Sequence, residues 1–111
     1  MSSRKLFSIF SNSYTITFSS FDHTIPVPYF LRGLVKSNLE DNQGAITDYN
    51  QAIKIKPDYA DAYYNRGNAK SNLGDKQGAI ADYNQAAQLY SQQNKMDDYL
   101  DALNQVKKLQ K

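Results

Sequence analysis

From about residue 26 onward, the apolar residues of this chain recur at three- and four-residue intervals, the spacing of one helix face. Ala79, Ile80, Tyr83, Ala86, Ala87 and Tyr90 form one such stripe, and Met96, Tyr99, Leu100, Leu103, Val106 and Leu109 another. No period-two alternation competes with it in this region. Asp98, Asp101, Asn104, Gln105 and Lys108 lie opposite the second stripe, which predicts an amphipathic helix over 96–110. Punctuation residues agree. Pro28 suits a first turn, and Pro57 follows a helix end. Asp58 or Asp61 can cap a helix running to Leu73, Gly74 can end it in a left-handed conformation, and Asp75 can cap the next.

A longer period lies above this one. Shifting the chain by 34 residues aligns 26–59 with 60–93, and seventeen of the 34 positions are identical. Tyr29, Arg32, Gly33, Lys36, Ser37 and Asn38 recur as Tyr63, Arg66, Gly67, Lys70, Ser71 and Asn72. Gln43 to Ala52 recurs as Gln77 to Ala86 with a single change, Thr47 to Ala81. Such a repeat is one pair of helices stacked on its copy.

These residues resemble the tetratricopeptide-repeat family. The resemblance is close over 26–93 and loose over the last helix. The family's first aromatic is Tyr29 and Tyr63, its Gly is Gly33 and Gly67, and its first small residue is Ala45 and Ala79. The later aromatic is Tyr49 and Tyr83, followed by Ala52 and Ala86. The implied fold is all-α, a right-handed superhelical stack of antiparallel helix hairpins about five helices long. Its expected parts are an unmatched segment over 1–25 (disordered or a cap), repeats over 26–59 and 60–93, and a capping helix over 96–110. Gly33 with Ala45, and Gly67 with Ala79, are expected where paired helices touch. Gly44 and Gly78 are expected as packing residues.

Three departures from the family pattern carry information. Arg32 and Arg66 stand where Leu is usual, and Lys36 and Lys70 where an aromatic is usual. Ser91 replaces the closing Pro, so the fourth helix can run on towards Gln92. Because the arginines recur together with Asp48 and Asp82, each Arg is expected to pair with an Asp across neighbouring helices.

Composition narrows the function classes. The chain has 111 residues, a formal net charge of +2, no Cys and one His. Its mean hydropathy is −0.68, and no apolar run approaches the ~20 residues of a membrane span. Lys and Arg are scattered, so no basic face suited to nucleic acid forms, and no membrane partner is expected. Lys107, Lys108 and Lys111 read as cations favoured at a helix C-terminus. Arg4 and Lys5 precede an apolar stretch too short for a secretory signal, and a cytoplasmic protein is expected. His23 is read as a loop residue, and Asp97, Asp98 and Asp101 as acids at a helix start rather than metal ligands. No phosphate loop, zinc motif or nucleophile elbow is present, so no catalysis, cofactor or metal is expected.

Binding is the function the resemblance implies. In the proteins this chain resembles, the first helices of the repeats line a concave groove that holds a peptide or a partner helix. The matching positions are Phe30, Leu34, Ser37 and Asn38 in the first repeat. In the second they are Asp61, Tyr64, Asn65, Asn68, Ser71 and Asn72. Phe30 and Leu34 replace the Lys and Asn with which some family members grip a C-terminal carboxylate, so that clamp is not expected. A protein or peptide partner is expected. The alternatives are a self-assembling scaffold unit and a fragment of a longer array. The first helix is more apolar than its copy: Leu31, Leu34 and Val35 replace Asn65, Asn68 and Ala69. Something is expected to cover it, whether the N-terminal segment, a second copy or another partner. Tyr14 to Phe18 alternates and could form a short strand.

Overall fold

A computed structural model describes residues 23–111 of the chain. Among them are five helices: α1 (Pro26–Asn38), α2 (Asn42–Ile55), α3 (Ala60–Asn72), α4 (Lys76–Gln92) and α5 (Met96–Leu109). Each helix packs on the next in the chain, and α1 also touches α3. The result is the expected all-α stack of sequential hairpins. The strand expected over 14–18, and nearly all of the 1–25 segment, lie outside the described residues.

The turns are built alike. Glu40, Gly74 and Asn94 each take a left-handed φ, of 64°, 85° and 60°. One residue later the amide of Asp41, Asp75 or Lys95 donates to the carbonyl of Lys36, Lys70 or Tyr90, closing the preceding helix. Asp41 and Asp75 then cap α2 and α4 by accepting from the amides of Gly44 and Gly78 at 2.9 Å. A Cβ on either glycine would stand 2.2 Å from a carboxylate oxygen of its cap. Gly44 and Gly78 are therefore capping residues, not packing residues. Neither Asp58 nor Asp61 caps α3; its N-cap is Tyr59, without a side-chain bond.

Small residues let the helices approach, and tyrosines fill the remaining space. Ala45, Ala52, Ala62, Ala69, Ala79, Ala86 and Ala102 are fully buried. The repeat glycines and Ala45 and Ala79 are buried where the paired helices touch, as expected. A Cβ on Gly33 would lie 2.6 Å from the Tyr49 ring, and one on Gly67 3.0 Å from the Tyr83 ring. What each glycine makes room for is the later tyrosine of its own repeat. At the C-terminal end Ala102 and Val106 are buried against the stack, with Tyr99, Leu103 and Leu109 packed beside them. Met96 and Leu100 remain about half exposed, so the expected apolar stripe of α5 is only partly used.

The Arg–Asp pairs form as expected. Arg32 holds Asp48 through two hydrogen bonds of 3.0 and 2.9 Å, and Arg66 holds Asp82 through two of 2.8 and 2.7 Å. The pairs are larger than the sequence suggested. Lys36 and Lys70 each add a contact of 3.1 Å to the same aspartates. Arg66 also donates to Asn50 of α2 at 2.8 Å, tying the second hairpin to the first. The Asp48 and Asp82 side chains are 2% and 5% exposed, whereas Arg32 is 41% and Arg66 18% exposed. Burial pushes the Asp48 carboxyl up, but the hydrogen bonds from Arg32 and Lys36 outweigh it and hold the group below its ordinary range.

Two outcomes follow for stability. Asp82→Ala strands Arg66 and Lys70 and should cost about 3–5 kcal/mol in chemical denaturation, with a smaller loss for Asp48→Ala because Arg32 is better solvated. The folded-state pKa of Asp48 lies below its unfolded value of about 3.9, so its contribution is present above that pH and lost as pH falls through the folded value. Denaturation midpoints measured below pH ~5 should therefore fall less steeply in Asp48→Asn than in the parent chain.

Candidate functional site

Helices α1 and α3 present matching stripes in one register: Val27, Leu31, Leu34 and Asn38 on α1, and Asp61, Asn65, Asn68 and Asn72 on α3. Spacings of four, three and four residues keep each set on one face. Helix α5 adds Asp98, Asp101 and Gln105 at intervals of three and four. Between these helices lies a groove of about 440 Å³, lined by Leu34, Ser37, Asn38, Asn65, Asn68, Ser71, Asn72, Tyr83 and Gln105. At Asn65 it meets a smaller open cleft of about 190 Å³, lined also by Asp61, Tyr64, Tyr90, Asp98 and Asp101.

Nine of the ten sequence-predicted positions thus line these two connected depressions. Phe30 does not. Its ring packs between Tyr49 and Tyr59, with centroids 5.9 and 5.0 Å away, as part of the first hairpin's core. Tyr83, Tyr90, Gln105, Asp98 and Asp101 line the surface without having been singled out for it. Tyr83 reads as core from its repeat position, and the α5 residues read as a solvated face. Only packing α5 against α4 turns that face towards α3.

Some of the polar side chains are already engaged. The Tyr83 hydroxyl donates to Asn68 Oδ1, and the Tyr90 hydroxyl donates to Asp61 Oδ1. Asn65 Nδ2 donates to the Asp61 carbonyl at 2.8 Å. Burial raises the pKa of Tyr90, and its bond to Asp61 adds to the shift. Burial also raises that of Tyr64, assisted by the negative charge of Asp101. The amide nitrogen of Asn68, the side chain of Asn38 and the Ser71 hydroxyl make no hydrogen bond among the described residues, so they can serve a ligand.

The two repeats differ at one telling place. Tyr49 is the counterpart of Tyr83, and Leu34 of Asn68. With Leu34 opposite it, the fully buried Tyr49 hydroxyl lacks the well-formed bond that Tyr83 makes and has only the Ser37 side chain beside it. Burial pushes both tyrosines up to about 12. The described residues offer no group of three or more His, Cys, Asp or Glu arranged to hold a metal ion. No described helix is long and apolar enough to cross a membrane.

Two family models match the chain, one described as TPR repeat over residues 33–74 and one as tetratricopeptide repeat over residues 60–93. No curated protein matches the sequence. Solved structures do. A tetratricopeptide repeat domain protein from Salinibacter ruber, known from its solution structure, is 18% identical with a TM-score of 0.71, over 79% of this chain and 89% of that one. PcrH, crystallised in complex with the chaperone binding region of PopD, is 15% identical with a TM-score of 0.80, over 96% of this chain and 90% of that one. MamA is 20% identical with a TM-score of 0.61, over 96% of this chain and 73% of that one. At these identities the likeness shows the fold.

The unequal tyrosines give a stability test. Tyr83→Phe leaves Asn68 without its donor and should lose about 1 kcal/mol. Tyr49→Phe removes a buried hydroxyl that makes no well-formed bond, with only Ser37 beside it, and should be neutral or stabilising by up to about 1 kcal/mol, both read from thermal or chemical denaturation.

Proposed function

The chain belongs to the tetratricopeptide-repeat family, and from that premise we propose that it is a non-catalytic module that binds a protein segment in the groove across α1, α3 and α5. One observation carries the reading: the groove concentrates unsatisfied hydrogen-bonding groups on a rigid helical face. The fold is one generally used for protein–protein interaction, and PcrH accommodates a partner's binding region with a similar one. A groove spanning only three helices holds a short segment, so its affinity should be modest unless a second contact assists.

The test is capture of a partner with the intact chain and with Ser71→Arg, which places a long side chain in the groove. A partner of the groove should be lost from the variant while helical content is unchanged. Equal retention by both proteins would place the binding surface elsewhere.

A second reading, self-association, is favoured by a different side of α1. The stripe Ala62, Arg66, Ala69 and Leu73 of α3 faces α2, and Ala69 is fully buried there. Its counterpart on α1 leaves Val35 57% and Leu39 75% exposed. Burying such side chains is worth about 1.5–3 kcal/mol each, a strong incentive for a second copy to dock. If it does, mass measured by light scattering should rise with concentration, and Val35→Lys should abolish the rise.

A further inference from the structure

The groove has a chemical gradient that points to the kind of segment it takes. On α1 the groove stripe is apolar, and Val27 and Leu31 are 46% and 52% exposed. In the same register α3 carries Asp61, Asn65 and Asn68, and α5 contributes Asp98 and Asp101. At that end three carboxylates and two tyrosine rings line one cleft, and no cation lines it. Asp61 is engaged by Tyr90, whereas Asp98 and Asp101 make no ion pair among the described residues. Lys56 and Lys95 line the adjoining pocket that shares Asp61 and Tyr90, so the unpaired negative charge is local to Asp98 and Asp101.

An independent observation lies under the apolar end. The Tyr49 hydroxyl is the one buried side-chain polar atom without a well-formed hydrogen bond among the described residues. Its ring lies on Gly33 as that of Tyr83 lies on Gly67, and its hydroxyl stands beside Ser37, a groove residue. A ligand carbonyl seated there, with the half-buried Leu34 side chain displaced, supplies a better-aligned acceptor than Ser37.

We propose that the groove takes an extended polypeptide segment with a large apolar side chain at one end and a Lys or Arg at the other. The proposal rests on the groove reading above and adds the class of ligand. The apolar group lies on Val27, Leu31 and Leu34, and the cation sits between Asp98 and Asp101 against the Tyr64 ring. An amphipathic helix fits less well, because Asn65, Asn68, Ser71 and Asn72 offer its apolar face nothing to bury against. Neighbouring helix axes lie about 8–10 Å apart, so α1 and α5 are separated by roughly 16–20 Å, the reach of about five or six extended residues.

Panning a phage-displayed random peptide library against the intact chain tests this. The expected result is enrichment of peptides pairing a large apolar residue with Lys or Arg at about that separation. Their affinity should fall about tenfold or more in Asp98→Asn/Asp101→Asn and weaken with added salt. Enriched peptides that Ser71→Arg excludes, but that lack a basic residue or ignore the double Asn variant, overturn this inference and leave the groove reading standing. Peptides that bind Ser71→Arg as well as the parent overturn both, and a library that yields no enrichment overturns the ligand class.

Discussion

Each hairpin depends on one close contact, a tyrosine ring laid on the backbone of a glycine. Gly33 receives Tyr49 at a distance that leaves no room for a Cβ, and Gly67 receives Tyr83 so closely that a Cβ would require the ring to shift. The contact joins packing to surface chemistry. A ring held this close to the first helix of its repeat carries its hydroxyl through the hairpin to the groove side, where Tyr83 meets Asn68. Any larger residue at the glycine would push the ring back, separate the helices and withdraw that hydroxyl. The buried alanines serve the same end by keeping neighbouring helices near enough for one ring to bridge them.

The aspartate clusters stand on the other side of the same hairpins. A buried ion pair adds less net stability than apolar packing of equal volume, because both charges must leave water. Its contribution here is geometric. Asp48 and Asp82 accept from an Arg and a Lys one helical turn apart, which fixes the rotation of α1 against α2 and of α3 against α4. That rotation decides which stripe of each first helix faces the groove. Arg66 extends the constraint to Asn50, so the second hairpin is registered on the first by polar contacts as well as by packing.

Much of this was legible in the sequence because it repeats. The 34-residue period exposed the hairpins, and the joint recurrence of Arg32 with Asp48 and Arg66 with Asp82 exposed the pairs. What did not follow is whatever depends on distance rather than recurrence. Gly44 and Gly78 recur as faithfully as Gly33 and Gly67, yet they face a capping carboxylate and not a ring, and recurrence cannot separate the two. Asp61 looks like a cap from its place before a helix, but the Tyr90 hydroxyl, 29 positions away, claims its carboxylate. Met96 and Leu100 fit the apolar period of α5 and still stay half exposed, because α4 meets that helix along Ala102 and Val106. The groove positions on α1 and α3 could be read from the register. Those on α5 could not, since only its docking shows which polar residues turn inward.

The differences between the repeats carry as much meaning as their likeness. Identity between the copies is concentrated at positions that hold a hairpin together: the glycine, the tyrosine, the arginine, the lysine and the aspartate. On the groove stripe three of the four aligned pairs differ: Val27, Leu31 and Leu34 correspond to Asp61, Asn65 and Asn68, while Asn38 and Asn72 are the same. A stripe altered only for solubility would have become polar in both copies. Instead one copy is apolar at some cost, leaving Leu31 half exposed and the Tyr49 hydroxyl without a well-formed bond, while the other gathers carboxylates beside α5. Two such liabilities on one surface, each met by a different part of a single bound segment, are easier to explain by a ligand than by folding. The framework is shared by both repeats, and so are the groove's Ser37 and Asn38, which recur as Ser71 and Asn72; the gradient comes from the three stripe positions at which the copies part.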